Sequence, residues 1–199
     1  MAKKKEEKPE PQLDEDGIVI HEFQHTVLVV VSPDGFGEQG VCFARSQLGN
    51  VRIATRVTSS RYDDVLKGRL QEFFLADVPL ADVKAEDYTG ILIASADSDE
   101  LADDPQVVAL VRQIAAQGKL VASVGNGLEV LVRAGAVKGK RVTGDKKSEQ
   151  AAKKAGAKYT GRQVEASGNV VTALDECAGL RFGRALVDTV VRLEHPKAS

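Results

Sequence analysis

A chain of 199 residues with a formal net charge of −2 can bury one proper core, and its even balance excludes partners recruited by bulk charge, whether nucleic acid or an anionic membrane. Hydrophobic residues at 43% and charged ones at 28% describe an ordinary globular domain. The longest apolar runs, residues 27–31 among them, are far too short for a bilayer, and Cys42 and Cys177 have neither CxxC nor metal-ligand spacing. No metal or other cofactor is expected, and a reducing, cytoplasmic setting is.

Residues 1–22 read as a disordered charged tail. Lys3, Lys4, Lys5 and Lys8 mix with Glu6, Glu7, Glu10, Asp14, Glu15 and Asp16, leaving too little apolar surface to offset the entropy of ordering. Glu6, Glu7 and Lys8 also stand where a secretory signal would need an apolar stretch. Residues 23–195 then form one domain in which strands and helices alternate. Residues 26–32 are a buried strand, 38–48 a helix, and 51–57 a second strand ending in the turn Thr58-Ser59-Ser60. Residues 61–89 are less regular, with a short hairpin near Gly68, and 91–95 are again a buried strand.

The sharpest helix signal follows. Asp104 is suited to cap, Pro105 to the first helical position, and Gly118 to the position past the end. Val107, Val108, Val111, Ile114 and Ala115 recur on one face between them. Residues 119–124 are the central strand and 128–134 the helix behind it. A strand at 141–143, a helix at 148–155, strands near 163–165 and 170–173 and a final helix at 178–193 complete the chain. Such alternation argues for a parallel sheet with helices on both faces. Basic residues between Lys138 and Lys158 are interrupted by Asp145 and Glu149 and read as solvated surface.

Val121-Ala122-Ser123-Val124-Gly125-Asn126-Gly127-Leu128 carries a buried strand through a tight turn into a helix, the geometry that lifts a nucleophile above an α/β sheet. At its crest stands Gly125, which has no side chain to react. Together with Asp87-Tyr88-Thr89-Gly90-Ile91-Leu92-Ile93, the stretch from Leu101 to Gly139, and Asn169-Val170-Val171-Thr172-Ala173 followed by Phe182 and Ala185-Leu186-Val187, this turn resembles the ThiJ/PfpI superfamily, the Parkinson-disease deglycase and intracellular-protease group. The resemblance implies an α/β flavodoxin-like three-layer sandwich with a mostly parallel sheet, of the class I glutamine amidotransferase-like type, and a homodimer.

It also implies where chemistry should sit. The family's nucleophilic Cys and its adjacent His fall on Gly125 and Asn126. Its activating Glu, eight residues before the leucine ending the first helix, falls on Gly40, and its Pro-Gly-Gly oxyanion turn on Ala94-Ser95-Ala96. A thiol without a neighbouring acid or base is poorly activated, and here even the thiol is gone. His21, His25 and His195 lie at the ends of the domain, and Asp145 stands where some relatives place a His. A catalytically degenerate protein with a role in binding or assembly is therefore expected, with Gly125, Asn126, Gly40 and Ser95 around a vestigial pocket. Ser95, Ser123, Asn126 and the N–H groups opening the helix at Gly127–Leu128 would suit a small carboxylate or other anion.

Two rival functions keep their own residues. A hydrolase or glyoxalase-like enzyme would need a relocated group such as Cys42, with Cys177 a second candidate thiol; most free cysteines in such proteins are simply small buried hydrophobes, and that is the favoured reading of both. A nucleotide-binding module would use Gly35-Phe36-Gly37-Glu38-Gln39-Gly40, a GxGxxG string between strand and helix, with Arg56 near a 2′-phosphate, though Pro33-Asp34 separates the first glycine from the strand. The acidic run Asp97, Asp99, Glu100, Asp103 and Asp104 offers oxygen ligands for a hard cation, or simply caps a helix and solvates a rim.

Overall fold

The computed structural model describes Gln12–Leu13, Val19–Ile20 and residues 25–61, 65–95 and 100–194. Six strands form the central sheet: β1 (His25–Val31), β2 (Ile53–Ser59), β3 (Gly90–Ala94), β4 (Leu120–Val124), β5 (Val164–Ser167) and β6 (Val170–Ala173). Their order is β5-β6-β4-β3-β1-β2, all parallel except β5, which runs antiparallel to β6. The helices are α1 (Glu38–Gly49), α2 (Pro105–Ala116), α3 (Leu128–Arg133), α4 (Glu149–Lys154) and α5 (Gly179–Glu194), with a single turn at Glu100–Asp103.

Alternation along each strand divides the core into two layers. Val27, Val29 and Val31 meet Val41, Ala44 and Leu48 of α1 and Phe182, Leu186 and Val190 of α5. Leu28 and Val30 face the other way, toward Val107, Val111 and Ile114 of α2 and Leu128 and Leu131 of α3. Both faces of β1 are thus covered, which is why residues 27–31 are uniformly apolar and fully buried. The flavodoxin-like sandwich implied by the sequence is the fold observed.

Register positions the site. Val31 pairs with Ala94, Ala94 with Val124, and Val124 with Ala173, so four strands end in one row. Ser32, Ser95, Gly125 and Leu174 leave the sheet together at its carboxyl edge, where open α/β sheets bind ligands.

Most expected elements stand within a residue or two of their places. Asp104 caps α2, its Oδ1 accepting from the Gln106 and Val107 N–H groups, and Gly118 follows the helix with φ +71°. The second strand starts later than expected, at Ile53. Val51 and Arg52 belong to the turn after α1, their N–H groups donating to Leu48 O and Gly49 O, and Arg52 has φ +60°. The hairpin near Gly68 pairs Leu66–Gly68 with Phe73–Phe74, and its first strand also runs parallel to Asp34–Phe36. Arg141–Val142 pairs with Lys158–Tyr159, a strand that the sequence reading assigned to no element. The expected tail, residues 1–22, lies outside the described residues except for the short antiparallel pair of Gln12–Leu13 with Val19–Ile20.

Each sheet edge carries a polar side chain. On β2 the Val57 N–H donates to Asp77 Oδ2 at 2.6 Å, while the Asp77 N–H returns a bond to Val57 O at 2.8 Å. On β5, Arg141 Nη2 donates to Ala166 O at 3.2 Å.

Candidate functional site

β4 ends at Val124 in extended backbone, and the chain turns at once through a short 3-10 segment, Gly125–Gly127, into α3. Gly125 has φ +57°, the left-handed conformation that costs other residues about 1–2 kcal/mol. A β-carbon there would meet only Leu174 O, at 3.9 Å. The turn therefore keeps the backbone of a nucleophile elbow and the space for a side chain, without the side chain. Gly125 O receives N–H groups from Leu128 and from Asp145 (3.2 Å), so the Leu128 N–H is spent within the turn.

Above Gly125 is a cavity of about 80 Å³. Ala94, Ser95, Val124, Gly125, Asn126 and Leu174 make its floor from the strand ends; Gly37, Arg69, Asp145, Asp175 and Glu176 make its walls. Three of the four expected residues therefore come together. Ser95 and Asn126 are buried, and Ser95 Oγ lies 3.4 Å from Ser32 Oγ. The fourth, Gly40, is not among the lining residues. It lies beneath the cavity, where a β-carbon would touch the Val124 side chain at 3.4 Å. Gly37, one helical turn earlier, lines the cavity instead.

The absence of a side chain at Gly37 has a visible use. A β-carbon there would fall 2.6 Å from Glu176 Cδ, so the carboxylate of Glu176 occupies the space α1 leaves empty. Glu176 Oε1 pairs with Arg69 Nη1 at 3.5 Å. Asp145 Oδ1 accepts from the Lys147 N–H, and Asp175 Oδ1 from the Cys177 N–H, each at 2.9 Å, which fixes both carboxylates at the rim. Among the described residues the walls thus carry three carboxylates and one guanidinium. Arg69, Asp175 and Glu176 were not foreseen as site residues, because the hairpin and the turn after β6 reach the elbow only through the fold.

The DJ-1/PfpI family model matches residues 25–189. The chain belongs to the DJ-1/PfpI family. Among curated proteins it is similar to an uncharacterized protein of Archaeoglobus fulgidus, 29% identical over 147 residues that make up 73% of this chain and 87% of the relative. An uncharacterized protein of Methanocaldococcus jannaschii is 27% identical over 168 residues, 82% of each chain. Among solved structures, a ThiJ/PfpI domain protein from Brachyspira murdochii superposes with a TM-score of 0.78 at 22% identity, over 83% of this chain and 96% of that one. Drosophila melanogaster DJ-1beta superposes with a TM-score of 0.72 at 20% identity, over 85% and 97%. These likenesses establish the DJ-1/PfpI fold.

The rival thiols sit elsewhere. Cys42 is exposed on α1 in a separate hollow with Gln39, Phe43, Ser46 and Glu72, and is not among the residues lining the elbow cavity. Partial burial of the sulfur, then the Glu72 carboxylate with Oε2 at 3.9 Å, pushes the Cys42 thiol above its ordinary range. In a Cys177→Ser protein at pH 7.5, Cys42 should react with iodoacetamide several-fold more slowly than free cysteine, since the thiolate is the nucleophile; an equal or faster rate would restore it as a catalytic candidate. Cys177 is exposed, two residues past Asp175.

The GxGxxG string is not an open phosphate loop. Gly35 lies in the short strand Asp34–Phe36 against Leu66–Gly68, and Phe36 is fully buried. Glu38, in the first turn of α1, holds its carboxylate buried and accepts from the Leu70 N–H. The acidic run is similarly occupied. Glu100 and Asp103 pair with Arg61 and Arg133, Asp104 caps α2, and Asp97 and Asp99 lie outside the described residues. No group of three or more His, Cys, Asp or Glu placed to hold a metal occurs among the described residues, nor any helix long and apolar enough to cross a membrane.

Proposed function

We propose that this DJ-1/PfpI family protein has exchanged the family's covalent chemistry for binding, and holds a small molecule over Gly125 without transforming it. The observation that carries the reading is the left-handed Gly125 opening onto a cavity with no Cys or His among the described residues lining it. An acyl or thiohemiacetal intermediate needs a nucleophile at that crest and a group to take its proton. Among the described residues lining the cavity, Ser95 carries the one hydroxyl, and its Oγ lies 3.4 Å from Ser32 Oγ. A homodimer in the cytoplasm is part of the same proposal. Phe43 of α1 and Leu180 of α5, both exposed, line one surface hollow and offer apolar area to a second copy.

The test is an activity screen beside a soak. The purified protein should consume neither methylglyoxal nor aryl esters above buffer, and Gly125→Cys alone should gain neither activity. Neither Gly37 nor Gly40 of α1 supplies a carboxylate, and Glu176 is already engaged with Arg69. Crystals soaked in small carboxylates, amines and amino acids should show one held above Gly125, and sedimentation should give a dimer mass. Turnover by the unmodified protein that is lost in Glu176→Gln would overturn the proposal.

A further inference from the structure

We infer that the cavity over Gly125 takes a small zwitterion of the α-amino acid type, its carboxylate toward Arg69 and its ammonium toward Asp145 and Asp175. This rests on reading the cavity as a binding site. Size sets the first limit. At about 10–15 Å³ of such volume per water-sized group, 80 Å³ admits roughly five to eight non-hydrogen atoms. A glycine-, alanine- or serine-sized molecule fits within it.

Charge sets the second. Among the described residues, Arg69 is the cation of the lining, and Asp145, Asp175 and Glu176 are its acids. A ligand bearing only negative charge would face three carboxylates, and one bearing only positive charge would face the guanidinium. A molecule with both charges a few ångströms apart satisfies both signs at once. A ligand carboxylate would share the Arg69 guanidinium with Glu176, whose Oε1 lies 3.5 Å from Nη1. Asp145 and Asp175 are held in place by the backbone N–H groups they cap, and Asp145 is tied to the elbow through its own N–H to Gly125 O. Their charges are therefore fixed before a ligand arrives, which lowers the cost of binding. The arrangement exists because Gly37 leaves room for Glu176 and the hairpin brings Arg69 across from a distant part of the chain.

Calorimetry and thermal melting of the full chain with glycine, L-alanine, L-serine, propionate and propylamine test this directly. At least one amino acid should bind and raise Tm by several degrees, while propionate and propylamine leave it unmoved. Arg69→Met and Asp145→Asn should each weaken that binding at least tenfold. Both side chains are at the rim, and Asn retains the Lys147 cap, so each variant should melt close to the parent. Propionate or propylamine binding as well as alanine would overturn the zwitterion while leaving a binding site in place. Amino acid binding unchanged in both variants would put the ligand elsewhere and overturn it too. No binding by any of the probes, with no ordered molecule above Gly125 in soaked crystals, would overturn both the zwitterion and the binding function.

Discussion

Replacing Gly127 with alanine is expected to cost about 2–3 kcal/mol, and the same change at Gly125 only about 1 kcal/mol. The order is the reverse of what backbone conformation suggests. Gly125 has the left-handed φ, yet a β-carbon there stands in nearly open space, so the cost is conformational alone. Gly127 has ordinary helical dihedrals, φ −57° and ψ −17°, but its β-carbon would lie 2.6 Å from Ile93 O and 3.2 Å from Ile93 Cγ2. Ile93 belongs to β3, laddered to β1 on one side and β4 on the other, and its carbonyl has no freedom to retreat. Overpacking against fixed backbone must shift the elbow itself. For a domain of this size, 2–3 kcal/mol is a Tm loss of roughly 4–12 °C. Melting both variants decides it: equal losses, or a harmless Gly127→Ala, would mean that the turn does not pack on β3 as described.

The second large effect is expected at Glu38. Its carboxylate is almost wholly buried, accepts from the Leu70 N–H, and fills the space beside Gly68, where a β-carbon would fall 2.5 Å from Glu38 Cδ. Its Oε2 has no hydrogen-bond partner among the described residues. Two terms oppose each other. Burying a charge is costly, while the hydrogen bond to a charged acceptor contributes about 1.5–3 kcal/mol and the start of α1 favours a negative charge. Deletion also opens a gap between α1 and the hairpin. The stabilising terms are expected to win, so Glu38→Ala should lose about 2 kcal/mol, concentrated in residues 66–74, and Glu38→Gln less. Limited proteolysis should then cut the hairpin many-fold faster in the alanine variant with little change in the sheet. A more stable Glu38→Ala protein would show that desolvation dominates and that Glu38 does not clamp the hairpin. Because Arg69 sits on that hairpin, the alanine variant should also weaken any ligand that needs the guanidinium.

The sandwich was readable in the sequence because its strands are covered on both faces and so appear as unbroken apolar runs, as at residues 27–31 and 91–94. The cap, proline and glycine around α2 gave that helix its ends through local chemistry. Gly125-Asn126-Gly127 marked the elbow for the same reason. The start of β2 was misplaced because Val51 is β-branched and apolar, yet Arg52 turns left-handed to finish the exit from α1. Lys158–Tyr159 is too short for any period to register. The walls of the cavity were hidden for a different reason. Arg69 reaches the elbow through the pairing of Asp34–Phe36 with Leu66–Gly68, and Glu176 matters only because Gly37 is bare opposite it. Neither relation has a signature along the chain.

The polar groups at the two outer strands bear on how copies of the protein can meet. A strand with its N–H and C=O groups exposed invites another strand, and through it runaway stacking. Asp77 answers both the donor and the acceptor of Val57 on one border, and Arg141 occupies the Ala166 carbonyl on the other. Continuous sheets running from one copy into the next are blocked at those positions. Any pairing of subunits would have to be made through helices and loops, and a crowded solution of this protein should resist fibril growth even when warmed toward its melting point.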